Sequence, residues 1–500
     1  MSAEPAERVP VIVGVGQAND RPDDPADGLN SLALMAEALE LAQRDAAGAG
    51  GWLADCDALA VVGQISWPQI NPVAAKLTAR LGMAPAHVEE TLPHGDSPVR
   101  MLSEAANRIG RGEAVIRAIV GGEALRTAGQ LAARTAGTAH DPLRHAAHRR
   151  RTGYAQTYGL TVPTDIYPLY ENACRAAWGQ SLAEGQAESG AIWAQMSAVA
   201  AVNPHAWLRQ ERTADEIVAP GERNRPVAFP YTKLQVANAA VNQGAGFIVT
   251  SLAEARRRKV PEERLIFIGH GASAHEPASI LERPDFVSSA SMELVLRAAL
   301  DRNGLSADGL AAAELYSCFP CVPKMARRVI GWPVDRPVTV FGGLTFGGGP
   351  IGNYMSHAVA AMVEHLRGTD GCGLLFGNGG YATYNHALVL FGQPRAARFP
   401  QDFDVQAAAD AARRPAPPVD EDYAGPAMLE TWTVHYTRDG NPRSATVVSR
   451  TPAGARTLAL VPADDTVAIA ALTGGLAEPV GSAGRITFDL PDGLARWRFA

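Results

Sequence analysis

The feature that most constrains this chain is an internal duplication: two stretches far apart in the sequence run through the same order of elements. The first begins with "VPVIVGVGQ", a run of apolar residues and glycines that reads as a buried strand. A polar insert leads from it to "LALMAEALELAQRDAAG", apolar at helical spacing, and then to a second buried strand, "CDALAVVGQ". The order returns later as "RLIFIGHGAS", a polar insert, "SMELVLRAALDRNG" and "GLAAAELYSCF". Each block is followed by a glycine- and proline-bearing turn, a helix, and an apolar strand ending in glycines. These are "HGDSPVRMLSEAANRI" with "AVIRAIVGGE", and "GGGPIGNYMSHAVAAMVEHL" with "GLLFGNGG". Strands and helices alternating at this length predict an α/β fold with largely parallel sheets covered by helices, and ligands at the carboxyl ends of the strands.

Outside the duplicated units the composition changes twice. Residues from about 125 to 235 are polar, rich in Arg and Gln and weakly periodic, which predicts a long excursion carrying binding function. The stretch 401–426 contains "RRPAPPVDEDYAGP", with the proline and charge content of an exposed linker, so a chain cut near residue 412 is expected to stay folded. Beyond it, 427–500 reads as a small all-β barrel: "LETWTVHYTRDGNPRSATVVSRT" alternates around an Asp-Gly turn at Asp439 and Gly440, and further short strands follow. The expected division is a first half over 1–255 that includes the excursion, a second half over 256–400, the linker and the barrel.

A net charge of −7 argues against a nucleic-acid partner. No run of 18 apolar residues occurs and no apolar leader opens the chain, so a cytoplasmic protein with no membrane partner is expected. The 12 histidines show no metal-binding spacing, so neither a metal nor a permanently bound cofactor is expected.

Two of the five cysteines, Cys318 and Cys321, stand in a C-x-x-C spacing in "ELYSCFPC". That spacing fits a dithiol redox pair, half of a zinc site, a nucleophilic thiolate or two buried small hydrophobes. A zinc ribbon needs a second pair, which Cys56, Cys174 and Cys372 do not supply.

With its duplicated halves, its excursion, "AIVGGEA", "VNQGAGFIVTS", "YSCF", "FGGLTFGGGPIG" and "LLFGNGG", the chain from about residue 8 to 395 resembles the thiolase superfamily, in its sterol-carrier-linked branch. Its tail resembles the extra C-terminal domain of thiolase-like type-1 proteins, an OB-like module. The resemblance implies a five-layered αβαβα fold with a loop domain, coenzyme A or an acyl-CoA thioester as ligand, and a monomer or homodimer.

It also implies where reacting groups should stand. The nucleophilic cysteine of the family's first turn falls on Gly95, the activating histidine of its second turn on Gly349, and its second cysteine on Asn378. Standard thiolase chemistry is therefore not expected. Of the branch's His-Asp-Cys-Phe motif, Tyr316 and Ser317 replace the first two residues, while Cys318 and Phe319 match.

Each candidate has a functional and a structural reading. Tyr316 and Cys318 are expected two apart at a strand end, both facing the ligand, with Cys318 alternatively a buried small hydrophobe. Ser97 and Asp96 are a nucleophile and its neighbour, or a helix cap and first turn. Gly347, Gly348 and Gly349 admit a thioester close to free N–H groups, or form a tight turn. Arg144, Arg149, Arg150 and Arg151 hold phosphates, or make a solvated face. His94 and His386 lie near the motifs as catalysts or as satisfied structural histidines. The functional expectation is an acyl-CoA-handling protein of acyltransferase ancestry in lipid or sterol metabolism. The alternatives are a carbon–carbon lyase using Tyr316, and a non-catalytic acyl-CoA sensor or scaffold.

Overall fold

A computed structural model describes residues 5–136, 153–395, 397–488 and 491–500. Its strands are β1 (Pro10–Asn19), β2 (Ala58–Val62), β3 (His87–Thr91), β4 (Ile116–Ala124), β5 (Pro226–Ala228), β6 (Tyr231–Thr232), β7 (Asn242–Ser251), β8 (Ile266–His275), β9 (Ala312–Leu315), β10 (Cys372–Gly379) and β11 (Tyr384–Phe391). The tail adds β12 (Gly425–Tyr436), β13 (Pro442–Arg450), β14 (Arg456–Pro462), β15 (Ala483–Thr487) and β16 (Arg496–Phe499).

Nine strands form one sheet in the order β3-β2-β4-β7-β1-β8-β11-β10-β9. The duplication is visible in that order. Walking outward from the centre, β1, β7, β4 and β2 on one side match β8, β11, β10 and β9 on the other, with β3 as an addition at the first edge. The halves meet where β1 pairs antiparallel with β8 through Val11 to Phe267 and Ile12 to Ile266. Several of these strands are buried along their whole length, which is why they read as apolar runs without alternation.

The helices Ser97–Arg111 and Tyr354–Leu366 occupy equivalent places in the two halves. Each follows a glycine-bearing turn, carries many buried residues and precedes a parallel-paired strand, β4 or β10. Outer helices Ser31–Asp45 and Ala290–Arg302 cover the other face. Gly14 and Gly16 let the first of them approach closely: a Cβ on Gly14 would lie 2.7 Å from the Ala46 methyl.

The tail closes into a five-stranded barrel, β12-β13-β14-β16-β15 and back to β12, with β14 and β16 parallel and the helix Thr466–Thr473 between β14 and β15. That is the topology of an OB barrel. The excursion contributes the helices Pro163–Ala177 and Leu182–Val202 and the small β5–β6 hairpin, which extends the barrel sheet through Ala228 and His435.

The expected linker is a packed strap. It holds a helix, Gln406–Ala412, and runs beside β8 through Ser273 N–H to Phe403 O at 2.7 Å and Val405 N–H to Ser273 O at 2.9 Å. Arg413 binds Glu276 at 2.7 Å. The charges that made this stretch look solvated are partly spent on ion pairs with the second half. No helix among the described residues is long and apolar enough to cross a membrane.

Candidate functional site

The site is assembled from four places. They are the turn before the helix Ser97–Arg111, the segment after β9, the turn before the helix Tyr354–Leu366, and the end of β10. The duplication brings the two turns and the two strand ends together across the molecular centre, with the excursion helix Pro163–Ala177 above them.

At the first turn, Gly95 has no room for a side chain. A Cβ there would collide with the Asn378 carbonyl oxygen and the Tyr316 hydroxyl, and would stand 2.6 Å from Tyr316 Cζ. The phenol of Tyr316 thus fills the space into which a residue at position 95 would project. β9 ends at Leu315, so Tyr316 and Cys318 lie past the strand rather than on it, and strand alternation does not set their directions. Tyr316 is held by its N–H to Phe376 O at 3.0 Å and by an edge contact with Tyr354, 5.9 Å between centroids. Burial pushes its phenol pKa well up, helped by Cys318 and Asp96 nearby.

Cys318 is 8% exposed and burial pushes its thiol up to about 12, against a hydrogen bond with Tyr167. It is protonated at neutral pH, which removes it as a thiolate nucleophile. Cys321 opens the helix Cys321–Ile330 with Sγ donating to Tyr167 O at 3.7 Å; both thiols are free. Phe319 stacks on Tyr167 at 4.6 Å. Among the described residues no cluster of His, Cys, Asp or Glu suits a metal ion.

Ser97 is a structural residue of the turn: its Oγ donates to Leu92 O at 3.2 Å and accepts from His94 N–H at 3.3 Å. His94 is half-buried with its ring edge-on to Tyr384 at 4.5 Å. Asp96 occupies the N-cap without capping, and its Oδ1 is buried with no hydrogen-bond partner.

Asn378 is fully buried, with Oδ1 accepting from Tyr167 Oη at 3.2 Å and Nδ2 donating to Asn385 Oδ1 at 2.8 Å. At the second turn the N–H groups of Gly347 and Gly349 are spent on Gly342 O at 3.3 Å and Asn238 O at 2.9 Å, so these two donors are not free to face a thioester. Gly348 has φ +100°, a backbone state that favours glycine. Burial pushes the His386 imidazole down to about 3, and it hydrogen-bonds Ser103 Oγ at 2.9 Å as a neutral ring. Arg144, Arg149, Arg150 and Arg151 lie outside the described residues.

Three residues emerge that sequence reasoning passed over. Tyr167 comes from the excursion and ties the β10 turn through Asn378, Gly380 O at 3.1 Å and Ala382 N–H at 3.1 Å. Tyr354 donates to Glu314 at 2.6 Å, and burial pushes that carboxyl up to about 7. The only signal for the second pair was Glu314 inside an apolar strand, since a buried carboxyl requires partners.

A cleft of about 420 Å³ opens beyond this cluster, between Tyr154, Leu160, Ile280, Leu281, Tyr381 and Glu421. Tyr381 forms part of its wall, and the carbonyl of the same residue accepts from Tyr170 Oη at 3.3 Å.

Residues 404–490 match the model of the thiolase-like protein type 1 additional C-terminal domain. Over 99% of both chains the fold is similar to that of a monomeric SCP2-thiolase-like protein type 1 from Mycobacterium smegmatis, at 29% identity and a TM-score of 0.83. The whole chain is thus similar to a thiolase-like type-1 protein, and its tail carries that protein type's additional C-terminal domain. Two further similar structures share the duplicated core of this thiolase-like protein. The Ltp2-ChsH2(DUF35) aldolase is 18% identical with a TM-score of 0.60, over 78% of this chain and 99% of its own. Human mitochondrial 3-ketoacyl-CoA thiolase in complex with CoA is 14% identical with a TM-score of 0.57, over 79% and 100%. No curated protein sequence matches the chain.

Proposed function

We propose that this thiolase-like protein binds an acyl-CoA thioester and makes or breaks a carbon–carbon bond in its acyl part without forming an acyl-enzyme, with the Tyr316 hydroxyl moving the proton. The observation that carries this reading is the phenol of Tyr316 in the space a residue-95 side chain would fill. Acyl transfer through a covalent intermediate needs a nucleophile there, and a glycine supplies none. Retro-aldol cleavage of a 3-hydroxyacyl thioester needs only proton transfers. The 3-hydroxyl loses its proton, the C2–C3 bond breaks, C3 becomes a carbonyl, and the bonding electrons pass to a thioester enolate that is protonated at C2. A buried phenol with a raised pKa is protonated at neutral pH, so it suits delivery of the proton to C2. That an aldolase and a CoA-bound thiolase share the core fold supports the thioester and the reaction class.

The test is a product assay with 3-hydroxybutyryl-CoA and longer 3-hydroxyacyl-CoA thioesters, following release of the carbonyl product and of the shortened acyl-CoA. Tyr316→Phe should lower turnover by ~10²–10⁴-fold with CoA affinity unchanged, since only a hydroxyl is removed. Acetoacetyl-CoA should not be thiolysed. CoA binding with no cleavage of any 3-hydroxyacyl-CoA would move the protein to the sensor reading, which the spent N–H groups of Gly347 and Gly349 favour.

A further inference from the structure

Gly377 and Gly379 lie two apart on β10, so both face the same side of the strand, toward the start of the helix Ser97–Arg111. A Cβ on Gly379 would stand 2.8 Å from Asp96 Oδ1 and 3.1 Å from Gly95 N, and one on Gly377 would stand 2.9 Å from Asp96 Cα. The Asp96 carboxyl therefore takes up the space that a side chain at position 379 would use, while the Asp96 backbone closes off position 377. Tyr316 does the same for position 95, so two glycine-vacated places are filled from neighbouring segments.

Asp96 does not behave as a helix cap. It is 6% exposed, makes no capping bond, and leaves Oδ1 buried and unpartnered. An unmade hydrogen bond of that kind costs about 1–3 kcal/mol, more when the group is charged. Arg100 on its own helix and the imidazole of His94 in the turn face it, and Tyr316 faces it from the segment after β9. Arg100 is bonded to Glu104 at 2.7 Å instead. Burial pushes the Asp96 carboxyl up despite these two neighbours.

We propose that Asp96 is the second acid–base group of this site and acts as the base toward the 3-hydroxyl while Tyr316 serves C2. This inference rests on the lyase reading above. In the cleavage direction the Asp96 carboxylate takes the hydroxyl proton, the C2–C3 electrons pass into the enolate, and Tyr316 gives its proton to C2. Transfer of the proton from Asp96 to the Tyr316 phenolate then restores both groups, so the step needs no oxidant, reductant or further reactant. Condensation is the same sequence reversed.

The experiment compares the full chain with Asp96→Asn and Asp96→Ala, using the 3-hydroxyacyl-CoA substrate that the parent cleaves, CoA binding and thermal melting. Because the carboxyl pKa is raised by folding, its ionised form weakens the fold increasingly as pH rises through that pKa. Asp96→Asn should therefore melt at or above the parent at neutral pH, bind CoA as tightly, and turn over ~10²–10⁴-fold more slowly. The parent's rate should climb with pH through the Asp96 titration, and the residual rate of Asp96→Asn should lack that limb. Asp96→Ala keeps the kinetic comparison available should the amide fail to fold. Parental turnover in either variant, or the same acid limb in Asp96→Asn, overturns the assignment of Asp96 and leaves the lyase reading standing. An inactive parent overturns the lyase reading and this inference with it.

Discussion

Placing a cysteine at position 95 should not confer thiolase chemistry. The new Cβ would meet the Asn378 carbonyl, which belongs to a paired strand and cannot move cheaply, and the Tyr316 phenol, which is packed against Tyr354. Overpacking of this kind costs about 1–3 kcal/mol. Gly95→Cys should thus lower the melting temperature, and acetoacetyl-CoA thiolysis should stay absent in a free-CoA assay; efficient thiolysis would mean that the phenol moves aside. At this scale the sequence was legible for identities and illegible for occupancy. Motif order placed glycines at Gly95 and Gly349 and kept Cys318 and Phe319. It could not reveal that the Tyr316 phenol fills the space beside Gly95 and the Asp96 carboxyl the space beside Gly379, because each reaches that place from another segment of the fold. Ser97 and Asp96 were readable as a cap pair, yet Ser97 ties the turn while Asp96 leaves the cap unused. A hydrogen-bond ledger distinguishes the two, and composition does not.

At the scale of elements, the helix Pro163–Ala177 links the barrel to the site. One face sends Tyr167 to Asn378, and another meets β12 through Asn172 Nδ2 to Trp432 O at 2.9 Å and Thr431 Oγ1 to Leu169 O at 2.6 Å. Its N-terminus is fastened by Asp165, whose Oδ2 accepts from Thr161 N–H and hydroxyl and Val162 N–H while Oδ1 lies 3.3 Å from His435 Nδ1. Burial pushes the Asp165 carboxyl up, but His435 and the Thr161 bonds outweigh it and hold the pKa below the ordinary aspartate value. A depressed folded pKa contributes stability that is present above the unfolded pKa and is lost as pH falls through the folded one. Asp165→Asn should cost about 1–3 kcal/mol at neutral pH, with the two melting curves converging under acid conditions. A constant gap from neutral to strongly acid pH would show that the charge is not what holds the helix. The duplicated strands and helices were legible because buried parallel strands are unbroken apolar runs. The excursion was not, since its helices bury polar side chains such as Asn172 and Glu171 against distant partners, which blurs their periodicity.

The whole molecule departs furthest from the expectation of a detachable tail. A linker rich in proline and charge suggests independence, but the barrel shares its boundary with the excursion and the second half through buried polar bonds. Arg456, fully buried on β14, donates to Leu281 O at 2.7 Å and Arg283 O at 2.8 Å and pairs with Glu430 at 2.7 Å. Thr446 Oγ1 donates to Tyr158 O at 2.7 Å, and Arg175 pairs with Glu478 at 2.6 Å. Removing the barrel would strip partners from Asn172, Leu169 O, Tyr158 O and the 281–283 carbonyls at once, and expose the apolar face they border. Each buried polar group left unpaired costs about 1–3 kcal/mol, so a handful approaches the whole stability of an ordinary domain. A chain ending at residue 412 should therefore melt far below the full chain or aggregate, and should lose CoA binding as Tyr167 loosens its hold on the β10 turn. Thermal melting and light scattering of the shortened chain check this. A cooperative, soluble product with the parental melting temperature would mean that the barrel only rests on the thiolase-like core, and that the site owes its shape to the duplicated halves alone.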